Sequence, residues 1–176
     1  MRLNICLAAL AASFVVATPA FAQAVTDNAQ AEAHGRVLST HSLINSAPLD
    51  FGTVAASASA GTVSVSANAL AVRTAGGGVT LVPSTFSAAR FDGLAAPSET
   101  VLLTLTPAAV GGLTLVDAVS GASITGSLNL DQGGSTTRTA DINGNFVVYV
   151  GGDFAIGVNQ RNGYYTGNFD LTAEYQ

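Results

Sequence analysis

The last fourteen residues, Gly163 to Gln176, constrain the fold more than any other stretch. Tyr165, Gly167, Phe169, Leu171, Ala173 and Tyr175 occupy every second position, with Thr166, Asn168, Asp170, Thr172, Glu174 and Gln176 between them. Successive strand side chains point to opposite faces, so the alternation predicts one half-buried β-strand over 164–175. The sequence stops there, so the strand is expected at a sheet border with nothing following to complete it.

The preceding chain is nearly free of helical periodicity. Short runs of Val, Leu, Thr and Ser recur between Gly, Pro and Asn punctuation, which predicts an all-β, antiparallel sandwich. Strands are expected at 35–40, 49–54, 61–66, 69–74, 79–82, 84–91, 100–106, 113–116, 123–130, 136–142, 146–158 and 164–175, two of them merging or proving to be loops. Asn143-Gly144 reads as a hairpin turn. Ala75-Gly76-Gly77-Gly78 and Gln132-Gly133-Gly134-Ser135 read as flexible connections, and Gly151-Gly152 as a bulge or bend inside a long strand.

Residues 1–22 have the form of a secretory signal: Arg2, an apolar run from Ile5 to Ala17, and Ala20-Phe21-Ala22 as the cleavage site. The run is too short for a bilayer span. Cleavage would leave 154 of the 176 residues, enough for one domain, with no cysteine because Cys6 lies in the signal. The remaining five Arg against eleven Asp and Glu, with no Lys, give a net charge near −6. Such a surface offers nothing to a nucleic-acid backbone or to anionic lipid. Export through the periplasm to the cell surface is the expected route.

Residues 23–34 form an N-terminal extension ahead of a sandwich at 35–176. From residue 25 onward Val25, Ala29, Ala31, Ala33, Gly35 and Val37 fall on one face, with Asp27 the exception, and polar residues fall on the other. Two readings stay open: a first strand in the chain's own sheet, or a strand built to enter another molecule.

Here the sequence resembles a known family. Gly163 fourteen residues from the end, the alternation after it and the penultimate Tyr175 are similar to the closing motif of chaperone–usher fimbrial subunits. Gly163-Tyr164-Tyr165-Thr166-Gly167 resembles the opening of their last strand. Leu49-Asp50-Phe51-Gly52-Thr53-Val54 is similar to a strand of spore-coat-U-like domains, and the layout resembles the exported domain-of-unknown-function 4402 family. The resemblance implies an immunoglobulin-like sandwich lacking its final strand, with a groove beside the C-terminal strand. A periplasmic chaperone would fill it first, holding the carboxylate of Gln176, and an outer-membrane usher would oversee its replacement by a neighbouring subunit's extension. The mode is strand addition to an open edge. The donor face would be Val25, Ala29, Ala31, Ala33, Gly35 and Val37, smaller than is usual there; the acceptor face would be Gly163, Tyr165, Gly167, Phe169, Leu171, Ala173, Tyr175 and Gln176.

Chemistry is sparse. His34 and His41 lack the carboxylate and nucleophile of a triad. Asp141-Ile142-Asn143-Gly144-Asn145 lacks the later acidic ligand of a calcium loop and reads as a turn. Asp50, Asp92, Asp117, Asp131 and Asp153 sit at strand ends, where aspartate caps backbone amides. The glycine run lacks the pattern and the Lys of a phosphate loop. Tyr149, Tyr164, Tyr165 and Tyr175 fit core or groove positions better than a sugar platform. No catalytic residue, metal site or cofactor is expected.

The primary expectation is a structural subunit of a bacterial surface filament, a linear homopolymer used in adhesion or biofilm. The alternative is a self-contained exported sandwich acting as a monomeric surface or ligand-binding module. An outer-membrane barrel fits poorly: there is no Trp, aromatics are few, and the final residue is Gln.

Overall fold

The computed structural model describes residues 31–176. The expected signal and residues 23–30 of the extension lie outside the described residues. Residues 31–41 carry no strand, and a compact unit spans Val37–Gln176. Its strands are β1 (Ser42–Ala47), β2 (Val54–Val65), β3 (Arg73–Leu81), β4 (Ala89–Leu94), β5 (Thr100–Thr106), β6 (Leu113–Asp117), β7 (Ser123–Leu130), β8 (Thr137–Thr139), β9 (Asn145–Ile156), β10 (Tyr165–Thr166) and β11 (Asp170–Tyr175). All ladders are antiparallel. An eight-stranded sheet contains the path β1-β4-β9-β7-β6-β10, with β2 joining β9 and β3 joining β2; a three-stranded sheet runs β11-β5-β8. The chain is thus an all-β antiparallel sandwich, as its patterning predicts.

β9 organises the larger sheet. On one side its residues 145–150 pair with β4 and its residues 152–156 pair with β2, while β7 pairs across residues 150–155 on the other side. Gly151 lies at the changeover. A Cβ there would stand 2.3 Å from the Val65 carbonyl oxygen and 2.5 Å from the Ala67 nitrogen. The glycine pair therefore serves close backbone approach; the β7 register runs through it without a bulge, while on the other edge the partner changes from β4 to β2.

Two apolar cores result. The first gathers Phe91, Val101, Leu103, Phe146, Val148, Val150, Leu171 and Ala173 between the β1-β4-β9 region and the smaller sheet. The second gathers Val63, Val79, Leu113, Leu115, Ile124, Phe154 and Ile156. Leu49, Leu128 and Phe169 pack against both. Full burial of side chains such as Val148 and Phe154 stabilises by about 1.5–3 kcal/mol each.

Three expectations are corrected. Ala75 to Gly78 is not a loop: Ala75, Gly76 and Gly77 pair with Val63, Thr62 and Gly61 inside the β2–β3 ribbon. Against Gly78 the ladder steps over residues 57–60 of β2, and Gly77 has φ +65°. Cβ atoms at Gly61 and Gly78 would lie 2.2 Å and 2.0 Å from backbone oxygens across the ribbon, so only glycine fits. The ribbon is folded back on itself here. Arg73 Nη2 donates to the Val82 carbonyl at 2.9 Å, although nine residues of straight strand would separate them by about 30 Å. Second, Asn143-Gly144 turns the chain from β8 in the smaller sheet to β9 in the larger, and the two strands do not pair. Third, no strand is found at 35–40, the stretch 49–53 forms only an isolated bridge at Asp50, and the strand expected at 69–74 begins only at Arg73, as β3, whereas β1 occupies 42–47.

Candidate functional site

The closing stretch is two strands. β10 pairs with β6 in the larger sheet, and β11 pairs with β5 in the smaller one from Asp170↔Thr106 to Tyr175↔Val101. The alternation read from sequence is nonetheless intact: Leu171 and Ala173 are buried, Tyr165, Phe169 and Tyr175 are half-buried, and the residues between them are exposed. Gly167 is exposed despite its place on the inner face. Gly163 and Gln176 are exposed too.

Among the described residues β11 pairs on one side only, with β5, and β1 pairs on one side only, with β4. These two free edges come into contact without a ladder between them. At one end of the seam the Tyr175 hydroxyl donates to the Ser39 carbonyl at 2.7 Å and accepts from the Ala96 amide at 2.7 Å. The His41 ring stands edge-on to the Tyr175 ring, centroids 5.5 Å apart. Midway, Phe169 packs edge-on against Phe91 at 6.1 Å. At the other end the seam opens into a cleft of about 580 Å³. Pro48 to Val54 line one wall, Gln160 to Gly167 the other, and Leu115, Ile124 and Ile156 of the second core lie at its floor. Segment 39–54 thus runs opposite segment 163–175 along the whole seam.

Each wall is locally fixed. The Asp50 carboxylate accepts the Gly52 amide at 2.7 Å, and the Asp50 and Ser87 backbones exchange two bonds at 2.9 Å. Phe51 leans on Phe154, centroids 4.8 Å apart. On the facing wall the Tyr165 hydroxyl donates to the Arg161 carbonyl at 2.5 Å and accepts from Gln160 at 2.8 Å.

Asp117, expected to cap backbone amides at a strand end, also seats the closing motif. Asp117, at the end of β6, is 4 % exposed. Its carboxylate accepts the Ser120 hydroxyl at 2.5 Å, the Ser120 amide at 2.9 Å and the Tyr164 amide at 3.3 Å. The Ser120 hydroxyl, ahead of the opposing effect of burial, and then the backbone amides hold the acid below its usual range. Gly163 lies flat against it: a Cβ would stand 2.6 Å from the Asp117 Cγ. The Asp-x-x-Ser spacing marks a local turn, but nothing in sequence links it to Gly163. Gly163 is required by packing, since only its lack of a side chain admits the carboxylate.

Of the expected donor face, Ala31, Ala33, Gly35 and Val37 are exposed and in no strand. Val25 and Ala29 lie outside the described residues. His34 approaches Glu32, at 3.4 Å, on an exposed surface. The Asp141 carboxylate accepts the Asn143 and Asn145 amides, both at 2.8 Å, and closes a turn. Among the described residues no three His, Cys, Asp or Glu side chains are grouped as metal ligands, and no helix is long and apolar enough to cross a membrane.

No curated protein and no solved structure is significantly similar to the chain. A family model described as a domain of unknown function, DUF4402, matches residues 42–175, from the first residue of β1 to the last of β11. The match covers 134 of the 176 residues, and the chain belongs to the DUF4402 family.

Proposed function

We propose that this protein is a pilin-like structural subunit of a bacterial surface filament, exported by the signal at residues 1–22 and polymerised by strand exchange. The supporting observation is the seam between the free edges of β1 and β11, which runs into the open cleft beside Gly163–Gly167. A strand laid in that seam would pair with exposed backbone groups and cover the half-buried Leu43, Leu49, Phe169 and Tyr175. Free apolar edges promote uncontrolled pairing, which a dedicated occupant prevents. On this reading the fold is an immunoglobulin-like sandwich completed from outside. A periplasmic chaperone holds the seam first, and residues 23–37 of another copy then replace it, handed over at an outer-membrane usher. Such head-to-tail contacts propagate without closing. The role is architectural and adhesive, with no catalysis.

The test is electrophoresis of purified protein without heating. Ladders resistant to SDS are expected, and deletion of residues 23–34 should leave only monomer. A stable, monodisperse monomer from the full chain would overturn the proposal and favour a self-contained exported module.

A further inference from the structure

Arg73 holds the cleft wall in place by an unusual means. Its Nη1 donates to the Phe51 carbonyl at 3.0 Å, the Ser84 hydroxyl at 3.1 Å and the Thr53 carbonyl at 3.4 Å, while Nη2 donates to the Val82 carbonyl at 2.9 Å. The guanidinium stacks over the Phe86 ring at 4.9 Å. The Ser84 hydroxyl also receives the Thr53 amide at 2.8 Å. No carboxylate shares an ion pair with Arg73 among the described residues, and its buried Nε has no partner. Holding a half-buried cation without a counter-charge, and leaving one donor orphaned, is a poor way to gain stability. A planar fork that meets several carbonyls at once is a good way to fix geometry.

The geometry it fixes is that of the cleft. Arg73 begins β3, at the far end of the folded ribbon, and its side chain returns to both segments where the ribbon starts, 51–53 and 82–84. Phe51, Thr53 and Ser84, which it ties together, line the cleft. Gly52 is part of the same arrangement: it has φ +70°, and a Cβ would stand 2.2 Å from Arg73 Nη1.

We propose that Arg73 is a positioning residue for the cleft, a latch that keeps the β2–β3 ribbon folded and sets the gap that an incoming strand must enter. This rests on the filament reading and adds a determinant outside the seam. With the latch released, the glycine bend relaxes, the wall carrying Phe51 drifts, and the entering strand loses its register.

The experiment uses the full chain carrying Arg73→Met, Arg73→Lys or Val148→Ala. The last removes volume from the first core, away from the cleft, and serves as a reference for general destabilisation. Each protein is scored for melting temperature, ladder formation and uptake of a fluorescein-labelled peptide of residues 23–37. Arg73→Met should bind the peptide about tenfold more weakly than Val148→Ala at a matched loss of melting temperature, with Arg73→Lys between them because it keeps the charge but loses the fork. Peptide uptake by Arg73→Met equal to that of the unaltered chain, or weakened no more than by Val148→Ala, would overturn the latch. In that case ladders from the unaltered chain would leave the filament reading standing. Absence of both ladders and uptake in the unaltered chain would refute the filament reading, and the latch with it.

Discussion

Gly163→Ala is the sharpest probe of the closing motif. The new methyl would sit 2.6 Å from Asp117 Cγ, 2.8 Å from Oδ2 and 3.0 Å from Cβ. Ordinary carbon contacts lie near 3.5–4.0 Å, so one partner must retreat by about 1 Å. Asp117 resists, because its carboxylate is held by Ser120 at 2.5 and 2.9 Å and by Tyr164 at 3.3 Å. Overpacking of this kind costs about 1–3 kcal/mol, a drop of roughly 2–12 °C in melting temperature for a chain of this size. The assay is thermal melting followed by circular dichroism, run as a double-mutant cycle. In an Asp117→Ala background the obstacle is gone, and the added cost of Gly163→Ala should fall below about 0.5 kcal/mol, outside the additivity expected of independent sites. An equal penalty in both backgrounds would refute the argument that the glycine exists to admit Asp117.

Tyr175→Phe keeps the ring on the first core and removes only the hydroxyl, orphaning the nearly buried Ala96 amide; a loss of about 1–3 kcal/mol is expected in urea unfolding. Asp131→Ala leaves the Arg138 side chain, 4 % exposed, without its carboxylate, and should cost about 3–5 kcal/mol by the same measurement. The Ser120 hydroxyl holds Asp117 below the usual carboxylate range, and the Asn145 amide does the same for Asp141. Their stabilisation is therefore complete above the unfolded carboxylate pKa and lost as pH falls through the lowered folded values. Melting temperature should decline below about pH 4, with a shallower slope in Asp117→Asn.

Legibility followed the side chains. Strands 100–106 and 123–130 were readable to the residue, because Val101, Leu103, Ile124 and Leu130 turn alternately inward. The glycines of β3 were misread because a residue without a side chain gives no period, and their reason lies in the backbone of the facing strand. β1 was missed because four of the six residues of Ser-Leu-Ile-Asn-Ser-Ala, Ile44 among them, are exposed at a free edge. The face pattern after Gly163 was visible, but the change of sheet between Thr166 and Asp170 was not, since both halves keep the same alternation. The walls of the cleft were each marked by a motif, Leu49–Val54 and Gly163–Gly167. The role of Arg73 was hidden because its partners lie nine or more residues away, and the hold of Asp117 on the closing motif because Tyr164 lies 47 residues away, although its cap on Ser120 was local and legible.

β9 carries a consequence for how the molecule comes apart. It contributes Val148 and Val150 to one core and Phe154 and Ile156 to the other, and it is hydrogen-bonded along one edge for nearly its whole length and along the other from Val150 to Ala155. Neither core can be exposed to solvent while this strand remains paired. Two hydrophobic centres therefore behave as one cooperative unit, and the amides from Val148 to Phe154 should be the last to exchange with deuterium, opening only with the whole fold.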